Sequence, residues 1–247
     1  MEANPSKFQC MLFSNQPTEK LQIDINDNVS IKSEPCVKAL GVYIDNRLNF
    51  NEHVKRSSLK AARQLNALSR ISKFLNFKSR KLVYQSFILS NFTYCPLVWH
   101  FCGKMNNSKI EKIQERALRI VCNDQISCYT ELILKLKTCT MLQSRLNTIL
   151  VEVFKSLNPN QVNPLYIREL LQIKDIPYDM RDSSLSNQPK IRTRKFKLMS
   201  FFYIDAELWN DLQPSLTDIS NSDIADFKCR LKQWKGISLD NMSSLCL

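Results

Sequence analysis

Glycine is nearly absent: the 247 residues contain three, Gly41, Gly103 and Gly236, far apart. Neither a GxGxxG nor a GxxxxGK[ST] phosphate loop can be written from them, so nucleotide binding through such loops is excluded. No window reaches 18 uninterrupted apolar residues, and no membrane span is expected. The first residues, MEANPSKFQC, lack a basic region followed by a long apolar stretch, so no secretory signal is expected either. No Asp-Asp pair occurs anywhere in the chain. Acidic residues are also missing locally: residues 53–110 hold no Asp or Glu at all.

That gap organises the charge. Residues 1–52 are net −2, residues 53–110 carry 11 basic side chains and are net +11, and residues 111–247 are net +3, giving the chain +12. An exposed cationic block of this length raises the local potential and attracts polyanions, so a nucleic-acid surface is expected in preference to a merely solvated face. Apolar residues make up 44% of the chain, enough for a real core rather than a disordered polymer. The nine cysteines form an odd set and several lie in apolar helical patterns. They read as reduced, buried thiols in an intracellular protein, nuclear or cytoplasmic and not secreted.

Hydrophobic periodicity predicts a mainly α chain with a small β-rich N-terminal segment, an α+β arrangement in which short antiparallel strands precede a helical bundle. Strand-like runs fall at 8–13, 21–25, 29–32 and 37–44, with Leu21, Ile23 and Ile25 alternating as in a half-buried strand. A helix is predicted over 52–75, with Val54, Ala61, Leu65, Leu68 and Leu75 on one side. Arg56, Lys60, Arg63 and Arg70 lie opposite, flanked by Lys55 and Lys73. Asn49 or Asn51 is the expected cap. Leu59, Ile71 and Phe74 intrude on the cationic side; packing against another segment is the expected role, stacking on nucleic acid the alternative.

A second helical run starts at Ser79 and reaches Tyr94, where Pro96 ends or kinks it. Asn107 or Ser108 caps a third, with Ile110, Ile113, Ala117, Leu118 and Val121 inward. Further helices are predicted near 129–136, 140–157, 206–212 and 223–234, a loop or linker over 174–195, and a possible strand over 195–203. Trp99, Trp209 and Trp234 are assigned to core packing. Cys95, His100 and Cys102 offer soft ligands, but no fourth ligand is nearby and no metal site is expected. Lys190, Arg192, Arg194, Lys195 and Lys197 form a second basic cluster, a nuclear-import signal or nucleic-acid clamp being the functional alternatives to a solvated tract.

Several segments taken in order carry a resemblance. They are Asn4-Pro5-Ser6-Lys7-Phe8-Gln9 with Met11-Leu12-Phe13, and Lys38-Ala39-Leu40-Gly41-Val42-Tyr43-Ile44-Asp45 running into Leu48, Phe50 and His53. Tyr94-Cys95-Pro96-Leu97-Val98-Trp99, Gln114-Glu115-Arg116-Ala117-Leu118-Arg119, Tyr178-Asp179-Met180-Arg181 and Leu208-Trp209-Asn210 follow. The set resembles the C-terminal part of reverse transcriptases from LINE-type, jockey-like non-LTR retrotransposons. The resemblance implies three regions: 1–50 as the end of the palm with a primer-grip-like hairpin, 51–157 as a thumb-like helical bundle, and 158–247 as a C-terminal extension.

It also implies that Lys7 matches a lysine thought to help protonate leaving pyrophosphate, here vestigial, and that Leu40 and Gly41 match the primer-grip turn. Lys55, Arg56, Lys60, Arg63, Arg70 and Lys73 then lie on the thumb helix that tracks a template–primer. Polymerisation in this family needs palm aspartates holding two Mg²⁺ ions. Without the Tyr-x-Asp-Asp turn the chain is expected not to polymerise DNA by itself, and no cofactor is expected, Mg²⁺ belonging to an intact family member. An upstream region supplying the aspartates would change that. The expected partners are RNA, DNA or their hybrid, bound through phosphates; about five contacts would give a salt slope near −4.5 on a duplex. The rivals are a protein-docking or self-associating fragment, with Phe8, Leu12, Leu40 and Val42 as its exposed face, and a decayed product with no selected role.

Overall fold

The computed structural model describes residues 7–14, 21–26, 29–158, 164, 201–212, 223–232 and 234. It is mainly helical, with two small antiparallel sheets near the N-terminus, as the residue pattern predicts. The chain divides into two compact units, Met1–Thr138 and Cys139–Leu247.

The first unit opens with two hairpins. β1 (Gln22–Asn26) pairs with β2 (Val29–Lys32), and β3 (Cys36–Ala39) pairs with β4 (Val42–Asp45). The run 37–44, read as one strand, is therefore a hairpin folded at Leu40-Gly41. The strand expected at 8–13 is reduced to one isolated bridge, Cys10 to Ser33. Leu21 and Ile23 are exposed rather than half-buried, because a two-stranded ribbon presents apolar side chains that need a third layer to cover them.

α1 spans Asn51–Ile71 and runs into a 3₁₀ turn, Ser72–Phe74. Val54, Ala61, Leu65 and Leu68 are buried, as their spacing demands. Neither expected asparagine caps it. Phe50 occupies the cap position in a left-handed conformation, and Asn51 Oδ1 instead accepts a 2.6 Å hydrogen bond from Asn106 Nδ2. Asn49 is held through its backbone, whose N–H donates to Asp45 Oδ1 at 3.0 Å.

α2 (Phe77–Val83) begins two residues before the predicted Ser79, because Asn76 is its cap and accepts from the Ser79 N–H at 2.8 Å. A π-helical turn (Tyr84–Leu89) and a short α3 (Ser90–Thr93) continue the run. Cys95 then adopts a positive φ, and Pro96 opens the one-turn α4 (Pro96–Trp99) as its first residue. α5 (Lys104–Cys122) starts after Gly103, at φ +79°, so the predicted caps Asn107 and Ser108 lie inside it. The polar side chains are used sideways: Asn106 Nδ2 donates to the Cys102 carbonyl at 2.7 Å, and Asn107 Oδ1 accepts from the Cys102 thiol at 3.5 Å.

Ile110, Gln114, Ala117, Leu118 and Val121 form the buried stripe of α5, which packs on α1. α6 (Tyr129–Leu136) closes this unit. Its Tyr129 hydroxyl lies 2.6 Å from Gln114 Oε1 and 2.5 Å from Glu111 Oε2, pinning α6 to α5.

In the second unit α7 (Met141–Leu157), α8 (Phe201–Asn210) and α9 (Ile224–Leu231) share a core. Phe154 and Phe227 stack at 4.3 Å, and Trp209 leans on Phe227 at 6.3 Å. The strand expected over 195–203 is overturned at its end, since Phe201 to Tyr203 begin α8. Trp99 and Trp209 are buried, whereas Trp234 is only partly so. Of the eight described cysteines only Cys102 is fully buried; Cys128 and Cys229 are exposed, against the expectation of buried thiols. Tyr178-Asp179-Met180-Arg181, the linker 174–195 and the basic cluster Lys190, Arg192, Arg194, Lys195 and Lys197 lie outside the described residues.

The rotation of α1 is open to a direct check. Leu65→Ala should lower the unfolding free energy by about 3–5 kcal/mol through cavity formation, while Leu59→Ala on the open side should change it by less than about 0.5 kcal/mol. Urea denaturation of both variants reads the contrast; similar losses would mean the helix is turned differently.

Candidate nucleic-acid interface

The sheet that precedes α1 and the helix itself are joined at Tyr43. Its backbone N–H donates to His53 Nδ1 at 3.4 Å, and the Arg56 guanidinium sits 4.3 Å above its ring, with Lys38 Nζ at 5.6 Å from the same centroid. His53 in turn packs against Trp99 at 5.7 Å, and Trp99 Nε1 donates to the Tyr94 carbonyl at 2.9 Å. Tyr94 completes the circuit, its hydroxyl donating to the Leu40 carbonyl at 2.5 Å. Segments some fifty residues apart in sequence thus meet around one hairpin. Sequence reasoning missed Tyr43 and Tyr94 as a unit, because nothing in their spacing announces a contact.

At the turn, Leu40 and Gly41 have φ of +46° and +89°, as a two-residue type I′ hairpin requires. Gly41 is needed twice over: its φ disfavours a side chain, and an added Cβ would lie 3.2 Å from Tyr94 Cε1. Leu40 pays αL strain and stands 91% exposed. Val42, expected on the exposed face with Phe8, Leu12 and Leu40, is buried because β4 packs on α1; the other three are exposed.

The cationic side of α1 is present. Lys55, Arg56, Lys60, Arg63, Arg70 and Lys73 are all exposed. Arg56, Arg63 and Arg70 recur every seven residues, so they form a row about 10.5 Å apart along the helix. The six do not form one equivalent set. Glu52, the sole carboxylate of α1, accepts a 2.6 Å hydrogen bond from Arg56 Nε and lies 4.0 Å from Lys55 Nζ. That hydrogen bond holds the Glu52 carboxyl below its ordinary range and the Arg56 guanidinium above it. Lys60, Arg63, Arg70 and Lys73 enter no ion pair among the described residues.

Against expectation, Leu59, Ile71 and Phe74 are not buried against another segment among the described residues. They are exposed, Leu59 to 51% and Phe74 to 85%.

Further cations lie on α5: Lys109, at the end of the basic block, and Lys112 and Arg116, which the charge count stopped short of, are exposed. The neighbouring carboxylates are already engaged, Glu115 with Arg119 at 2.8 Å and Glu111 with the Tyr129 hydroxyl. The block ended at residue 110 in the sequence only because Glu111 follows; its partner could not be read from spacing.

Lys7 is exposed. Cys95 is held at the bend before Pro96, and among the described residues no three His, Cys, Asp or Glu side chains converge to hold a metal ion. No helix among them is long and apolar enough to cross a membrane.

Compared with known proteins, the chain is 25% identical over 125 residues to a probable RNA-directed DNA polymerase from transposon BS of Drosophila melanogaster. The match covers 49% of this chain and 14% of that protein. The relation is reverse-transcriptase-like. No family model and no solved structure matches.

Two measurements test this geometry. Gly41→Ala should cost about 1–2 kcal/mol of stability, from positive-φ strain and the Tyr94 contact, whereas Leu40→Gly should cost nothing or stabilise slightly; denaturant titration separates the two. Burial lowers the His53 pKa below its ordinary 6.5. The unfolded chain therefore takes up a proton before the folded one, so the His53 contribution to stability is intact above about pH 6.5 and falls below it. Thermal midpoints recorded from about pH 7.5 to about pH 5.5 should drop less for His53→Gln than for the parent.

Proposed function

We propose that this chain is the end-of-palm, thumb and downstream region of a LINE-type, jockey-like reverse transcriptase, and that it binds template–primer nucleic acid without polymerising it on its own. One observation supports the binding role above the others: four exposed cations along the open side of α1 and the 3₁₀ turn that continues it, opposite a buried apolar stripe, with no carboxylate against them among the described residues. Lysine and arginine so placed displace counterions from phosphates, giving affinity with little sequence preference across RNA, DNA and their hybrid. The absence of any Asp-Asp pair argues that metal-dependent phosphoryl transfer is not performed by these residues.

The transposon polymerase relative supports the reverse-transcriptase part of this reading. The ordered motifs, with the Leu40-Gly41 hairpin feeding into the basic helix, support the thumb assignment. A second reading, a protein-docking fragment, draws on the exposed Phe8, Leu12 and Leu40.

With Lys55 and Arg56 both held by Glu52, four free cations remain, Lys60, Arg63, Arg70 and Lys73, for which the salt slope on a duplex should be about −3.6. Reversing charge at Lys60, Arg63 and Arg70 together should cut that slope to about −0.9 and weaken binding at least tenfold at low salt. Fluorescence anisotropy across a salt series measures both, with circular dichroism to show the variant folded. A folded variant that binds as its parent does, with an unchanged slope, would refute the assigned face.

A further inference from the structure

The cationic row of α1 ends at an elbow with unusual chemistry. From Arg70 to Lys78 the chain leaves α1, makes the Ser72–Phe74 turn, extends through Leu75 and enters α2 at the Asn76 cap. Within these nine residues Arg70, Lys73 and Lys78 are exposed cations, while Phe74 is 85% and Phe77 45% exposed. No Asp or Glu occurs between residues 53 and 110, and none of the three cations is ion-paired among the described residues.

An occupant complementary to this elbow needs negative charge at short intervals together with flat apolar faces. A strand of unpaired nucleotides has both. A duplex has only the charge, since its base faces are covered by stacking.

We propose that the elbow between α1 and α2 is a single-strand site, where an unpaired base stacks on Phe74 while Arg70, Lys73 and Lys78 meet the flanking phosphates. The inference rests on the phosphate-binding reading of α1 and narrows it: the helix tracks the backbone, and the elbow selects nucleotides that are not paired. Aromatic stacking tolerates any base, so the preference is for strandedness and not for sequence.

The whole chain can be titrated by anisotropy against a labelled oligothymidylate of about twelve nucleotides and against a blunt duplex. Phe74→Ala should weaken the single-strand complex about tenfold and leave the duplex complex and the thermal midpoint unchanged, while Phe74→Trp should restore single-strand binding. Equal loss on both ligands, or no loss on either, overturns the proposal. So does a Phe74→Ala variant that loses self-association in light scattering, or binding to anionic phosphatidylserine vesicles, with single-strand affinity intact; the ring would then serve a protein or lipid contact. The two readings fail separately. If charge reversal at Lys60, Arg63 and Arg70 abolishes duplex binding while Phe74→Ala has no effect, the phosphate face stands and the stacking site falls.

Discussion

The rotation of one helix about its own axis governs the rest. α1 buries Val54, Ala61, Leu65 and Leu68 against α5, β4 and the π-helical turn. Each large aliphatic side chain so buried contributes about 1.5–3 kcal/mol. Turning the helix to put Arg63 or Arg70 inward would forfeit that and strand a guanidinium away from water, at a further cost of several kcal/mol. The apolar stripe thus decides which way the cations face, although none of them touches the core. An electrostatic surface is here a by-product of packing.

The hairpin at Leu40-Gly41 is tied to that helix through small contacts that reinforce one another. Arg56 both stacks on Tyr43 and bonds Glu52, so it orients the hairpin at the start of α1 at the expense of its freedom to meet a phosphate. Tyr94 holds the strained turn from the other side. The same residues that appear as short motifs in the sequence, around 38–53 and 94–99, are the ones that meet in space. Their order along the chain reflects a packed unit and not a series of separate sites.

How much of this was legible differs by feature, for physical reasons. α1, α6 and α7 could be read because their apolar residues recur with the helical period and their ends carry recognisable breaks. The turn at Leu40-Gly41 was implied by the family resemblance alone, since the β-leaning pattern ran through 37–44 as one strand. Caps were misread at α1 and α5, where asparagines near the helix start bond to other segments; a side chain that can cap can also bridge, and only the fold decides. The 8–13 strand failed because β-leaning composition needs a partner strand.

The exposure of Leu59, Ile71 and Phe74 was equally hidden, since period alone says which face a residue shares and not whether anything covers it. Within the candidate interface, the six cations were legible as a set, but the division of that set by Glu52 was not. A single carboxylate four residues before Arg56 is an ordinary helix pair on paper.

A stretch of 58 residues without a carboxylate ought to repel itself, yet it folds within a compact unit, Met1–Thr138. The spacing of the row resolves this. Arg56, Arg63 and Arg70 stand about 10.5 Å apart along the helix, close to the Debye length of about 8–10 Å at physiological salt. At that separation the three arginines are largely screened from one another, while Lys60, within one turn of Arg56 and Arg63, adds only about 0.2–0.5 kcal/mol of repulsion per pair, which the buried stripe outweighs. A polyanion laid along the row meets each cation at contact distance, where screening is weak. The same geometry is therefore tolerable when empty and attractive when filled, and it needs no internal carboxylates to hold it. Placing acidic partners along the row would relieve little repulsion and would compete with every phosphate, as Glu52 already does for Arg56.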